Sequence, residues 1–172
     1  MIAAVLAGGR GRRMGAPKAL AEFAGASLIE RPLAAAREAG LDAVVVAKPG
    51  TPLPPGLTVW HEPEEPFHPL LGIVTALERA KGPVVAVGCD QPFVPAELLA
   101  RLARGPEAAV VTEGGIEPFP ARYEPAWLPQ LRAALAREAP MRATLEALAP
   151  ATIAFEAAPL RSINTPEELE RG

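Results

Sequence analysis

The sequence has few of the residues on which several classes of protein depend. A single cysteine, Cys89, among 172 residues excludes an internal disulfide and favours a reduced, cytoplasmic setting. No apolar run approaches the roughly 18 residues that indicate a membrane span. The apolar start of the chain covers only about six residues and has no basic region before it, which argues against a signal peptide. A net charge of −3 argues against a general nucleic-acid-binding surface.

Side-chain amides are also scarce. The chain has one asparagine, Asn164, and two glutamines, Gln91 and Gln130, against 21 prolines. This bias suits a heat-adapted protein, and a GC-rich genome would produce the same bias. The two histidines have no metal-ligand spacing relative to Cys89, and neither a serine–histidine–acid set nor an H-E-x-x-H motif is visible. Hydrolases of those kinds therefore lack support.

The sequence does contain an alternation of short apolar runs and longer amphipathic segments, which predicts strands alternating with helices. The predicted strands are residues 2–7, 43–47, 57–60, 83–88, 108–112, 116–123 and 152–155. The predicted helices follow Ser27 and Thr165 as caps and occupy residues 70–80, 95–102, 125–137 and 141–149, with Gly40 ending the first. Continuously apolar strands separated by helices favour an α/β fold, a three-layer α/β/α domain with a mostly parallel, Rossmann-like sheet. From its length we expect residues 1–172 to form one domain.

A glycine-rich segment with four cations follows the first predicted strand. Residues 6–18 read Leu-Ala-Gly-Gly-Arg-Gly-Arg-Arg-Met-Gly-Ala-Pro-Lys, and the cations are Arg10, Arg12, Arg13 and Lys18. Glycines let backbone N–H groups approach and cradle an anion, and a cluster of cations suits a triphosphate. The spacing is neither a Walker A motif nor the dinucleotide-binding fingerprint. The segment predicts phosphate binding, with a solvated glycine-rich turn as the alternative.

Asp90 stands just beyond the fourth apolar run. A carboxylate at the C-terminal tip of a buried strand suits Mg²⁺, which prefers one or two carboxylates together with phosphate oxygens and waters. Ligands of such sheets bind at the carboxyl ends of the strands, so we expect Gly8, Gly9 and Asp90 to share one crevice. The alternative is a turn aspartate preceding Pro92. Facing a phosphate-binding loop, Asp90 is predicted to hold a metal ion.

Taken in order, these segments resemble a known family. Residues 6–9, followed by Arg13-Met14-Gly15 and Lys18, resemble the signature of nucleotidyltransferases with the glycosyltransferase-A-like fold. Four further segments resemble those of one branch: C-D-x-P-F at 89–93, P-L-L-G-I at 69–73, E-P-F-P-A-R-Y at 117–123 and I-N-T-P-E-E-L at 163–169. The five matches cover essentially the whole chain. Together they resemble the molybdenum cofactor guanylyltransferases, also called the molybdopterin-guanine dinucleotide biosynthesis protein A family.

The resemblance implies a fold of the nucleotide-diphospho-sugar transferase type and a Mg²⁺-dependent nucleotidyltransferase. Such an enzyme transfers GMP from GTP to molybdopterin or Mo-molybdopterin and releases pyrophosphate. The implied catalytic residues are Lys18, Asp90 and Arg13, with Asp90 as the metal ligand. The residues implied in nucleotide or cofactor binding are Leu6, Ala7, Gly8, Gly9, Lys18, Glu62, Gly72, Asp90 and Asn164. The implied partners are GTP, molybdopterin or its molybdenum form and other molybdenum cofactor biosynthesis proteins, with no nucleic acid or membrane among them.

The chain departs from the family pattern at four places. Pro17 replaces an acidic residue before the lysine, His68 replaces the first glycine of G-P-L-A-G, and Ser162 replaces an asparagine. For the family's aspartate that helps bind GTP, Glu62 is chosen from His61, Glu62, Glu64 and Glu65. These departures bear on base specificity and on the acceptor. The alternatives are a molybdopterin cytidylyltransferase, a sugar-phosphate nucleotidyltransferase and, in another class, a non-catalytic GTP-binding regulator.

Overall fold

The computed structural model describes residues 1–8 and 17–170 of the chain. Its strands are β1 (Ile2–Leu6), β2 (Glu22–Phe23), β3 (Ala26–Ser27), β4 (Asp42–Ala47), β5 (Val59–His61), β6 (Val84–Gly88), β7 (Ala109–Thr112), β8 (Gly115–Tyr123) and β9 (Thr152–Ala154). Its α-helices are α1 (Glu30–Glu38), α2 (Pro69–Ala80), α3 (Ala96–Arg104), α4 (Leu128–Leu135), α5 (Met141–Ala147) and α6 (Pro166–Glu170). Short 3₁₀ turns occupy Lys18–Leu20, Pro125–Trp127 and Ala158–Leu160.

Seven of these strands form one sheet in the order β5-β4-β1-β6-β8-β7-β9. The pairs β5/β4, β4/β1, β1/β6 and β7/β9 are parallel, whereas β8 runs antiparallel to both of its neighbours, β6 and β7. The predicted mostly parallel sheet is confirmed, and so is the return of residues 116–123 onto the strand before them. This return places the start of β8 at the same edge of the sheet as the end of β6.

Alternate residues of the central strands face two different helical layers. On β1, Ala4 packs on the face covered by α2, α4 and α5, whereas Ala3 and Val5 pack on the face covered by α1 and α3. All three side chains are fully buried, which explains why β1 is apolar at every position instead of alternating. The three-layer α/β/α fold is therefore confirmed. None of the described helices is long and apolar enough to cross a membrane.

The first helix begins later than predicted. Ser27 does not cap it with its side chain; Ser27 lies in β3, and its backbone N–H donates to Oε2 of Glu30 at 2.7 Å. The predicted cap is therefore wrong, because Ser27 pairs in the hairpin strand β3 and α1 begins only three residues later, at Glu30. Gly40 ends the helix as expected, with φ at +74°, a conformation that costs glycine little.

A small hairpin that the sequence did not predict joins the glycine-rich segment to α1. Its strands β2 and β3 meet at Ala24 and Gly25, both with positive φ. Phe23 of this hairpin packs with Leu28 and Ile163, and its ring meets Phe93 edge-on at 5.3 Å. This apolar cluster holds the segment before α6 against the body of the protein.

Candidate active site

Four parallel strands, β1, β4, β5 and β6, end along one edge of the sheet. Gly8, Lys48, Glu62 and Asp90 follow them within two residues. Backbone hydrogen bonds of 2.8–3.1 Å continue beyond the strand ends, from Ala7 to Val46, from Glu62 to Ala47 and from Cys89 to Leu6. The strand ends thus bring polar side chains from distant parts of the sequence to one place.

Three of these residues, Gly8, Glu62 and Asp90, line a cleft of about 1470 Å³. All the predicted site residues that the structure describes lie on its wall: Leu6, Ala7, Gly8, Lys18, Glu62, Gly72, Asp90 and Asn164. Gly8 and Asp90 share the cleft, as expected from the topology of parallel sheets. Gly9 and Arg13 lie outside the described residues. The roles assigned to all of these residues stay predictions.

The carboxylate of Asp90 is the point at which the beginning, middle and end of the chain meet. Lys18 Nζ donates to Asp90 Oδ2 and to Asn164 Oδ1, both at 2.7 Å. The backbone N–H of Ile163 donates to the carbonyl of Asp90 at 2.8 Å. The side chains of Lys18 and Asp90 are 18% and 24% exposed, so the pair is partly shielded and still open to a ligand. The Asp90 carboxylate is therefore paired with an ammonium group at the wall of the cleft.

Gln91 fixes the backbone around Asp90. Its side chain is buried and makes three hydrogen bonds: Oε1 accepts from Gly88 N at 3.0 Å, and Nε2 donates to the carbonyls of Phe119 and Leu160 at 2.9 and 3.0 Å. Gly88 itself must be small, because a Cβ there would overlap Oδ1 of Asp90. Gln91 thereby joins the end of β6 to β8 and to the 3₁₀ turn before Asn164.

A buried ion pair lies at the wall of the cleft, to which Glu62 contributes. Lys48 Nζ lies 3.4 Å from Glu62 Oε1, and both residues are less than a tenth exposed. A Cβ on Gly8 would overlap Glu62 Oε1, and a Cβ on Gly72 would lie 3.0 Å from Oε2, so both glycines leave the space that the carboxylate occupies. Burial raises the pKa of Glu62 above its ordinary value of 4.5, and Lys48 acts in the opposite direction through its charge and hydrogen bond.

Lys48 is a residue that the sequence analysis missed. Its Nζ donates to the carbonyls of Pro63 and Pro66 at 2.7 and 3.3 Å, and it lies 4.6 Å from the centre of the Phe67 ring. The lysine therefore ties the loop after β5 to the end of β4. Its position could have signalled this, because it follows an apolar run directly, at the edge where Gly8 and Asp90 were expected.

Residues 117–123, one of the segments that resemble the family, divide between two edges of the sheet. Glu117, Pro118 and Phe119, near the start of β8, line the cleft. Arg122, near its end, instead donates to the carbonyls of Leu102 and Gly105, both at 2.7 Å. Since β8 is antiparallel to β6, only its first residues reach the edge where β6 ends. Arg122 therefore supports the end of α3 and not the site.

Three further residues line the cleft, and one of them, His68, has a local structural role. His68 caps α2, with Nδ1 accepting from the N–H of Leu70 at 3.2 Å, so the replacement of the family's glycine supplies a helix cap. Burial, with the charge of Asp90 in addition, raises the pKa of the Cys89 thiol to about 12. Ser162 also lines the cleft.

The described residues contain no group of three or more His, Cys, Asp or Glu side chains that could hold a metal ion.

The pattern of the MobA-like NTP transferase domain matches residues 3–152. The chain belongs to this family. As a member of the MobA-like NTP transferase domain family it is a nucleotidyltransferase, which accounts for a cleft that joins a glycine-rich strand end to a carboxylate at the tip of β6.

Similar proteins carry more specific names. A molybdenum cofactor guanylyltransferase from Rhodobacter capsulatus is 34% identical over 177 residues, covering 97% of this chain and 92% of the relative. The crystal structure of molybdopterin-guanine dinucleotide biosynthesis protein A from Archaeoglobus fulgidus superposes with a TM-score of 0.76 at 24% identity, covering 99% of this chain and 96% of that one. The crystal structure of the Rv0371c protein of Mycobacterium tuberculosis in complex with manganese superposes with a TM-score of 0.69 at 17% identity, covering 99% of this chain and 95% of that one. The two structures share the fold of this chain.

Proposed function

We propose that this protein transfers GMP from GTP to molybdopterin or Mo-molybdopterin, forming the guanine dinucleotide cofactor and pyrophosphate. The observation that carries the proposal is the guanylyltransferase relative, which matches this chain at 34% identity over almost the full length of both proteins. We further propose that residues 1–172 act as one nucleotidyltransferase domain in the cytoplasm, where GTP is available.

The nucleotide is proposed to bind over the ends of β1, β4 and β5. Leu6, Ala7 and Gly8 would present backbone to it, and Gly9 and Arg13 would continue the phosphate cradle beyond the residues that the structure describes. Glu62 is proposed to bind the guanine base, because a carboxylate accepts hydrogen bonds from the paired N–H donors of that ring. Glu62 lines the cleft together with Gly8 and Gly72, which supports its placement beside the nucleotide.

We propose Mg²⁺ as the metal ion and Asp90 as its ligand. Among the described residues, Asp90 belongs to no group of three or more His, Cys, Asp or Glu side chains, which fits an ion that takes its remaining ligands from phosphate oxygens and water, as Mg²⁺ prefers to do. The manganese complex of the mycobacterial neighbour agrees with a divalent ion. When bound at Asp90, the ion would neutralise phosphate charge.

In the proposed reaction, a terminal phosphate oxygen of the acceptor attacks the α-phosphorus of GTP in line with the departing pyrophosphate. One P–O bond forms and the bond to the β-phosphate oxygen breaks. The nucleophile is already ionised near neutral pH, so the protein needs no general base. Lys18 is proposed to leave its contacts with Asp90 and Asn164 and to hold the phosphates as they accumulate charge. The protein then contributes mainly positioning and charge neutralisation.

The first test is pyrophosphate release by the purified chain with GTP, Mg²⁺ and molybdopterin. We expect release that requires all three, together with a guanine dinucleotide product identified by mass spectrometry. Parallel reactions with CTP and with a sugar 1-phosphate as acceptor test the related transferases. Release with CTP at the rate seen with GTP, or no release with molybdopterin, would contradict the proposal.

A further inference from the structure

Another carboxylate, that of Glu117, lies in the cleft on the far side of Asp90 from Glu62. In the sheet order β5-β4-β1-β6-β8, Glu62 follows β5, Asp90 follows β6 and Glu117 lies near the start of β8. Asp90 is thus flanked by a carboxylate on each side along the edge of the sheet. All three residues line the same cleft.

One oxygen of the Glu117 carboxylate, Oε1, is held in place by neighbouring side chains. Thr112 Oγ1 donates to Glu117 Oε1 at 2.8 Å, and Arg142 Nη2 lies 3.6 Å from the same atom. In residues 1–8 and 17–170 no hydrogen-bond donor reaches Oε2. The side chain is 23% exposed, so it is oriented by the protein and remains accessible from the cleft.

The surroundings of Glu117 suit an uncharged ring better than a phosphate. Pro118 and Phe119, the next two residues of β8, line the cleft with Glu117 and add apolar surface beside its carboxylate. A carboxylate whose nearest cation, Arg142, already pairs with one of its oxygens does not attract a phosphate group, whereas a carboxylate beside apolar surface accepts hydrogen bonds from the edge of a flat heterocycle. The phosphates of both substrates belong near Lys18 and Asp90, so the non-phosphate end of the acceptor is left for this region.

We propose that Glu117 binds the 2-amino-4-oxopyrimidine edge of the acceptor's pterin ring, accepting hydrogen bonds from N3–H and the 2-amino group. This inference rests on the proposed function, because it takes molybdopterin as the acceptor. Guanine presents the same pattern of donors. The cleft then holds one carboxylate for each end of the dinucleotide product, Glu62 for guanine and Glu117 for the pterin.

The direct test is Glu117→Gln, with Glu113→Gln as the matched control, since Glu113 is an exposed residue of the same hairpin and does not line the cleft. Glutamine leaves one acceptor oxygen and turns an NH₂ group toward the two donors. The loss of a charge-assisted pair is expected to raise KM for molybdopterin by about 10- to 100-fold. KM for GTP should stay within about twofold of wild type, and Glu113→Gln should change neither value. An unchanged KM for molybdopterin in Glu117→Gln would overturn the proposal.

A second measurement separates recognition from a structural effect and does not need turnover. In calorimetric titrations, the wild-type protein should bind 6-hydroxymethylpterin more tightly than 6-hydroxymethyllumazine, in which a carbonyl replaces the 2-amino group. Glu117→Gln should lose this preference. If wild type releases no pyrophosphate but prefers the pterin, the proposed reaction fails and the pterin site stands. If wild type binds both compounds equally or neither, the assignment of Glu117 is wrong, whether or not the variant folds.

Discussion

At the scale of single residues, Asp90 is the side chain on which most of the proposed chemistry depends. Asp90→Asn keeps the shape of the side chain and removes its charge, which removes a metal ligand and leaves Lys18 without its anionic partner. We expect turnover to fall by roughly 10²–10³-fold, measured as pyrophosphate release at saturating GTP and Mg²⁺. The Lys18–Asp90 pair is partly exposed, so the free energy of unfolding should fall by only about 1 kcal/mol or less.

The matched control for Asp90→Asn is Asp42→Asn, because Asp42 is the other aspartate of the chain and is exposed at the start of β4, away from the cleft. Asp42→Asn should leave turnover unchanged. If Asp90→Asn retained near wild-type turnover with Mg²⁺, the metal assignment would be wrong.

The raised pKa of Glu62 predicts how the free energy of unfolding depends on pH. Burial raises its pKa in the folded protein above the ordinary value of 4.5, so between 4.5 and the raised value the folded state binds more protons here than the unfolded chain does. In that range the contribution of Glu62 to the free energy of unfolding falls as pH rises. Glu62→Gln removes this titration. Urea unfolding at several pH values upward from 4.5 should therefore show wild type losing stability relative to Glu62→Gln.

The control for Glu62→Gln is Glu64→Gln, an exposed carboxylate of the same loop, which should not reproduce that divergence. A constant stability difference between Glu62→Gln and wild type at all pH values would refute the effect of burial on Glu62. The same variant should bind GTP more weakly if Glu62 holds the base. A protein that keeps a buried carboxylate at a cost in stability, and binds its substrate poorly without it, uses that group for binding.

At the scale of elements, the hydrogen bonds of Gln91 join β6 to β8 and to the 3₁₀ turn before Asn164, and a substitution of Gln91 tests what these bonds contribute to stability. Gln91→Leu keeps a similar volume but leaves Gly88 N and the carbonyls of Phe119 and Leu160 without their partner. We expect the free energy of unfolding to fall by about 2–4 kcal/mol in urea titrations, because each buried group left unpaired costs about 1–3 kcal/mol and some will recover a bond to water.

Gln130→Leu, at an exposed position of α4, is the comparison for Gln91→Leu and should change stability by no more than about 0.5 kcal/mol. Equal effects of the two substitutions would show that the cross-link between β6, β8 and the turn before Asn164 contributes nothing. Since Gln91 follows Asp90 directly, we also expect Gln91→Leu to lower turnover.

The elements differ in how far the sequence predicts them, for physical reasons. Strands such as β1 and β6 are buried on both faces, so their apolar runs are continuous and their positions could be predicted within a residue or two. The strands β2 and β3 have two residues each, too few for any periodicity to be visible, and the helix start at Glu30 depends on that hairpin.

The same distinction applies to the site. Lys18, Asp90 and Gly8 stand in recognisable motifs at strand ends, so their convergence could be predicted from the topology of a parallel sheet. Lys48 belongs to no motif, and its burial depends on the loop that carries Pro63 and Pro66 folding over it. Glu117 lies in a recognisable segment, but its place at the edge of the cleft follows from the antiparallel direction of β8.

At the scale of the whole molecule, the cleft joins segments from residue 6 to residue 164, so a ligand that fills it should stabilise the entire fold. If GTP with Mg²⁺ binds only the folded state, then at about 100 times its dissociation constant it adds about 2.7 kcal/mol to the free energy of unfolding. For a chain of this length, that corresponds to a rise in Tm of roughly 5–10 °C.

CTP and UTP with Mg²⁺ should raise Tm far less, because neither base offers the donor pair of guanine to Glu62. Equal shifts with GTP and CTP would contradict guanine specificity and favour a cytidylyltransferase. In Asp90→Asn the part of the shift that depends on Mg²⁺ should disappear, whereas in Glu62→Gln the preference for GTP should disappear. The two variants thus separate metal binding from base recognition within one cooperative unfolding transition.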